Sequence, residues 1–357
     1  MIEKTKYFNQ EINKILSQNL NLITTQYINL AFQRIEEKEI LELGSIFSKC
    51  HNLQNLSLNL SWNLLKSQGL LGFCSAIEPL KNLINLTLNL DSNILGYENI
   101  NRLGSILVSY TNLQTLDLDL SQNNIGDFGA CSLAYSLKNL SHLTDLKLNL
   151  RQNFVGQNGM NSIFESCSQI STLSLNFNDN KIDKQEMASL GIGLENCKKL
   201  INLTIELKNN RLNNDDIIGL CTALKSLTKI QLLYLNLSSN KISDDGCQII
   251  TECLVSLNNI SNLVLYLNMN SIKERGASSL GKALGKCSNL LSLNIDLLFD
   301  DIQILGATNL CLGIALCPKL KILVLHFCLN RVFTIELNKL KQKMKKMKRL
   351  VIKKLQF

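Results

Sequence analysis

The stretch Gly276-Ala-Ser-Ser-Leu-Gly281-Lys282 has the G-x-x-x-x-G-K spacing of a phosphate-cradling loop. In such loops backbone amides and one lysine neutralise the phosphates of a nucleotide. Here Ala283 stands where a Ser or Thr would have to hold Mg²⁺, and the surrounding leucine register places Lys282 in mid-helix. Nucleotide binding is therefore not expected. Paired carboxylates occur at Asp117 and Asp119, which share one face because they are two residues apart on an extended segment, with Asp91 and Asp145 outward on either side. General acid–base work would need an enclosed pocket to drive their pKa values apart. An open β face offers little desolvation, so these residues read as a solvated acidic patch suited to a basic partner surface. The three histidines, His51, His142 and His326, bring no nucleophile, base and orienter together. Twelve cysteines include no C-x-x-C pair and no Cys/His run with metal-ligand spacing. No enzyme activity, cofactor or metal site is expected.

The elements that carry these residues follow from a repeat. The pattern L-x-x-L-x-L-x-L-x-x-N begins at Leu53, Leu83, Leu113, Leu143, Ile170, Leu200, Ile230, Ile260, Leu290 and Leu320. Every step is 30 residues except that from 143 to 170, which is 27. Such self-similarity marks a solenoid, whose units bury their apolar faces only against neighbours.

Within one copy, Leu116, Leu118 and Leu120 alternate with Asp117 and Asp119, the period of a half-buried strand. Asn123 ends that strand, and its equivalents (Asn63, Asn93, Asn153, Asn180, Asn210, Asn240, Asn270, Asn330) are expected to form a ladder of turn-closing amides. From Asp127 the period changes: Gly129, Leu133 and Leu137 lie four apart, on one helix face. Small residues at Gly129 and its equivalents are expected to let neighbouring helices approach closely. Strands stack at about 4.8 Å and helices at about 8–10 Å, so repetition should close the strand side into a concave parallel sheet.

The run from Leu116 to Gly129, with Leu133 and Leu137, resembles the leucine-rich repeat family in its ribonuclease-inhibitor-like subfamily, as does Leu235 to Gly246. The resemblance spans roughly residues 23–352, although the unit here is longer than usual by an extra Leu-x pair. It implies an α/β horseshoe with the parallel sheet on the concave face and helices on the convex face. It also implies a protein–protein interaction module or scaffold binding a partner on the concave face. Relatives include activators of small GTPases, which makes a GTPase regulator the alternative; those relatives of the nuclear-transport type end in an acidic tail, and this chain ends basic.

Residues 1–22 are expected as an N-terminal capping segment. Residues 23–357 are expected as one solenoid of ten full repeats plus degenerate capping repeats, ending in a basic cap. Nine basic residues and no acidic ones fall between Leu337 and Phe357, so subtracting them from the net charge of +8 leaves −1 for the remainder. Leu340, Met344 and Met347 keep core spacing there, which suggests a capping helix with a basic outer face. That cap could serve an acidic partner; without interleaved aromatics, nucleic acid is disfavoured. No stretch suits a signal peptide or a transmembrane span. Cys50, Cys197, Cys287 and Cys317 share a column that is leucine in other repeats (Leu80, Leu140, Leu227, Leu257), so they are expected as buried, unpaired thiols in a cytoplasmic or nuclear compartment.

The outward strand positions locate a binding face. Early repeats place Ser57, Asn59, Thr87 and Asn89 there, then Asp117 and Asp119. Later ones place Tyr234, Val264, Tyr266, Met269, Leu298, Phe299, Val324 and Leu329. Apolar groups on a face that tolerates polar ones are expected to be partner-binding. Trp62, at a strand end, is expected to serve packing.

Overall fold

The computed structural model describes residues 2–182, 184–298, 300–327, 339–340, 342, 344, 347 and 349–356. It falls into two compact units, Met1–Asn180 and Lys181–Phe357. In the first unit, parallel strands pair in chain order: β1 (Thr25–Asn29), β2 (Asn55–Asn59), β3 (Asn85–Asn89), β4 (Thr115–Asp119), β5 (Asp145–Asn149) and β6 (Thr172–Asn176). The second pairs β7 (Asn202–Glu206), β8 (Leu232–Asn236), β9 (Asn262–Tyr266), β10 (Ser292–Leu297), β11 (Ile322–Phe327) and β12 (Ile352–Gln356) in the same way. Strand and helix alternate throughout, the α/β architecture of a leucine-rich-repeat-like solenoid.

The repeat sets the register. Leu86 pairs with Leu116 and Leu116 with Leu146, so each leucine column runs down the core side of the sheet. Leu116, Leu118 and Leu120 are wholly buried, each contributing roughly 1.5–3 kcal/mol of apolar burial. The 27-residue step follows from one helix. From the start of β5 to α6 (Gln157–Ser166), and from the start of β8 to α9 (Asp244–Ser256), the offset is the same 12 residues. The helices differ, 10 residues against 13, and that difference of three accounts for the short repeat.

The asparagine column forms the expected ladder. Asn123 Oδ1 accepts the backbone N–H groups of Asn93 (2.9 Å) and Leu95 (3.3 Å) in the preceding repeat. Its Nδ2 donates to the carbonyls of Leu90, Leu120 and Ser121. Asn63, Asn93 and Asn153 are similarly buried and bonded. Buried turn amides that cannot join a ladder of strands are thereby satisfied.

A second relay runs along the helix starts. Asp127 Oδ1 accepts from the N–H groups of Gly156 (2.7 Å) and Gly159 (2.9 Å), capping α6 from the repeat before it. Asp244 Oδ1 does the same for Lys273 (2.7 Å) and Gly276 (2.8 Å) at α10 (Glu274–Leu284). The glycine column serves both helix–helix approach and capping: a Cβ at Gly306 would stand 2.9 Å from the Glu274 backbone of the neighbouring α10. A Cβ at Gly276 would stand 2.6 Å from the Asp244 carboxylate, so only glycine leaves room for the capping group.

The chain before the first strand is ordered as α1 (Ile2–Leu16), which buries Phe8, Ile12 and Ile15. At the other end Leu340, Met344 and Leu350 are buried. Arg349 donates to the carbonyl of Ala315 (2.6 Å), closing the C-terminus of α11 (Gln303–Ala315). Part of the C-terminal basicity is therefore committed to a helix end. Cys50, Cys197, Cys287 and Cys317 are buried, as expected of a column that is leucine in other repeats. Burial pushes Cys197 and Cys317 up to about 12 and Cys287 to about 11. No described helix is long and apolar enough to cross a membrane.

Candidate functional site

The phosphate-loop spacing lies inside a helix. Residues 276–282 belong to α10, and the Gly276 amide is already bonded to Asp244. Among the described residues no three His, Cys, Asp or Glu side chains converge as metal ligands would.

In the second unit the apolar face residues form two rows set by strand pairing. One row runs Tyr234, Val264, Asn294, Val324; the other runs Asn236, Tyr266, Asp296, His326. Tyr234 and Tyr266 meet edge to face with ring centroids 5.4 Å apart, close to the preferred geometry of aromatic pairs. Asn294 Nδ2 donates to the Tyr266 hydroxyl (3.1 Å). Burial, with Glu206 close by, raises the Tyr234 hydroxyl above its ordinary range. Polar Asn294 and Asp296 separate Val324 from this cluster, and Tyr234, Val264, Tyr266, Leu298 and Val324 are only part-exposed. Met269 is not on a strand: it sits in the turn at φ 59°, 52% exposed. Phe299 and Leu329 lie outside the described residues.

The acidic face lies in the first unit. Asp117 pairs with Lys147 across adjacent strands (3.0 Å). Asp119 accepts from Ser121 and from Asn149 Nδ2 (3.0 Å). Asp91 Oδ1 accepts from the hydroxyls of Ser92 and Ser121. These carboxylates are half-exposed and hydrogen-bonded, a solvated patch without a sequestered acid or base.

A different surface emerges at the turns. The two residues flanking each ladder position are held in the left-handed region through the first unit: Phe32 and Arg34, Trp62 and Leu64, Ser92 and Ile94, Gln122 and Asn124, Gln152 and Phe154. That backbone directs the side chains into solvent. Phe32, Trp62, Leu64, Ile94 and Phe154 are 47–64% exposed. Trp62 does pack, but on the surface, stacked on Phe32 at 5.5 Å and 13°. Tyr97 and Phe128 make a second exposed pair at 6.1 Å. Large non-glycine side chains are uncommon at positive φ, and a β-branched one such as Ile94 is a true outlier. Ser92, Gln122 and Asn124 hold the same turn positions, so the fold does not require apolar groups there.

Beside Leu64, a cavity of about 300 Å³ opens between α2 (Glu37–Phe47) and α3 (Lys66–Ile77). Ile40, Leu41, Leu64 and Leu65 form its apolar wall, and Glu37 and Lys66 stand among the polar residues lining it. No protein-family model matches the chain, and no curated protein matches it significantly.

Proposed function

We propose that this chain is a ribonuclease-inhibitor-like leucine-rich-repeat module that binds a partner protein and performs no catalysis of its own. The principal contact is the turn edge of the first unit, together with the acidic strand face that carries Asp117 and Asp119. What supports this is the identity of the side chains at Phe32, Trp62, Leu64, Ile94 and Phe154. They are exposed and they occupy strained backbone. Polar residues serve the same turn positions in the same unit, whereas aromatic and aliphatic anchors are what protein interfaces draw on. The neighbouring carboxylates favour a partner whose apolar contacts are flanked by basic groups. The Tyr234–Val264–Tyr266 cluster, with Met269, is a second, smaller contact. Buried thiols such as Cys50, Cys287 and Cys317 fit a reducing compartment such as the cytoplasm or nucleus.

The test compares proteins captured quantitatively from native lysate by wild type, by a Phe32→Ser/Trp62→Ser/Ile94→Asn variant and by a Tyr234→Ser/Tyr266→Ser variant. The first variant should lose its principal partner by roughly tenfold or more, corresponding to hot-spot losses of at least about 1.4 kcal/mol. Undiminished capture refutes the turn edge as the site; loss only in the second variant moves the site to the second unit. Stimulated GTP hydrolysis by a small GTPase would instead make the chain a regulator of turnover.

A further inference from the structure

Among the described residues of the second unit, one rung of the ladder is not asparagine. Asp300 stands 30 residues after Asn270 and is 1% exposed. Its Oδ1 does what each ladder amide oxygen does, accepting from Ile272 N–H (2.9 Å) and from the Asn270 backbone. Its Oδ2 is buried without any hydrogen-bond partner. In the rungs before it, the atom in that position is an amide nitrogen with carbonyls on all sides. Asn240 Nδ2 donates to Leu207 (3.0 Å), Leu237 (2.9 Å) and Ser238 (3.2 Å). Asn270 Nδ2 donates to Leu237 (2.9 Å), Leu267 (2.7 Å) and Asn268 (3.5 Å). The same offsets point Asp300 Oδ2 at the carbonyls of Leu267, Leu297 and Leu298. A carboxylate oxygen there faces only acceptors and cannot stay charged without large cost.

We infer that Asp300 is held as the neutral acid, its Oδ2–H donating into the carbonyl cluster in place of the missing amide, so that the ladder of the second unit contains a single proton-operated rung. Losing that proton places a negative charge against carbonyl oxygens and loosens the turn. The turn also holds Met269, whose N–H donates to Leu298 O (2.8 Å), so the change reaches the surface beside the Tyr266 cluster.

The charged surroundings reinforce the neutral state. Burial is the largest influence on Asp300, and Asp296 on β10 adds to it, while the two backbone donors oppose it; together they lift the carboxyl to about 7. His326 on β11 is 4.0 Å from Asp296. From α9, Cys247 is buried close enough for both Asp300 and the capping Asp244 to act on its thiol. Lys273 and Asp301 flank the turn through a backbone bridge. Among these groups none offers Asp300 Oδ2 a donor.

The sign follows from comparing folded and unfolded carboxyls. The folded value lies above the unfolded one of 3.8, so the neutral form is the one the fold prefers. Stability from this group is complete below the unfolded value and declines as pH rises toward about 7, above which the penalty is constant. Within that window the folding constant changes by up to about tenfold per pH unit.

The direct test is a titration of Asp-labelled protein by carboxyl ¹³C NMR, with Asp300→Asn assigning the resonance. One carboxyl should titrate near neutrality and be absent from the variant. In parallel, urea midpoints of the two proteins should converge at about pH 4 and separate in favour of Asp300→Asn by about pH 8. An Asp300 resonance that titrates in the ordinary carboxylate range overturns the inference. So does a stability difference that is the same at both ends of the pH range.

Discussion

Removing one ladder amide should be among the more damaging single changes in the first unit. In Asn123→Ala, the three carbonyls that Nδ2 serves each keep another donor. Leu90 O retains Asn93 Nδ2 (3.0 Å), Leu120 O retains Asn153 Nδ2 (2.8 Å) and Ser121 O retains the Ser92 amide (3.0 Å). The two amides that Oδ1 accepts, Asn93 N–H and Leu95 N–H, lose the hydrogen-bond acceptor that the structure gives them. Each buried donor left unsatisfied costs about 1–3 kcal/mol, so the pair should cost about 2–6 kcal/mol. Gln114→Ala, on the exposed side of the chain before β4, should stay within about 0.5 kcal/mol of wild type. Urea unfolding measures the difference, and amide hydrogen exchange should show the Asn93 and Leu95 amides losing protection first. If Asn123→Ala were no more costly than Gln114→Ala, or if those two amides kept full protection, the ladder would not hold the turns as described.

Two further outcomes follow. Gly276→Ala should lower stability by about 1–3 kcal/mol, since the new methyl must displace the Asp244 carboxylate 2.6 Å away and with it the cap of α10; a thermal scan at one protein concentration reads it. Thiol titration in denaturant should give the same count with and without reductant. In the folded protein Cys197, Cys287 and Cys317 should react slowly at about pH 8, because burial keeps them protonated.

Much of the fold was legible because each repeat states it again. The leucine alternation at Leu116–Leu120 fixed the strand, and the asparagine column fixed the turn. The 27-residue step marks a shortened repeat in the sequence, and the 10-residue α6 is the element that shortens it. Other features were harder to see. Phe8, Ile12 and Ile15 have helical spacing, but the lysines and glutamates around them mask it. Asp300 hides because it satisfies half of what asparagine does, and the lost donor is visible only against the carbonyls of the neighbouring turn. The turn edge went unread for a geometric reason. Outward positions on a strand follow from its alternation, whereas the residues flanking the ladder face solvent only because their backbone is left-handed. Trp62 does pack, on Phe32, but its place on an exposed edge is not legible from strand alternation, and Met269 reads as a strand residue although it lies in a turn. A column of Ser, Gln and Asn interrupted by Phe, Trp and Ile was the available signal.

The central claim is that the first unit's turn edge binds a protein. The most direct measurement places a photo-crosslinking residue at position 94, and as a control at Ser279 on α10, and irradiates each in native lysate. The account predicts a discrete protein adduct from position 94, suppressed by excess wild-type chain and not by excess Phe32→Ser/Trp62→Ser chain, with no matching adduct from position 279. Equal adducts from both positions, or competition indifferent to Phe32 and Trp62, would contradict it.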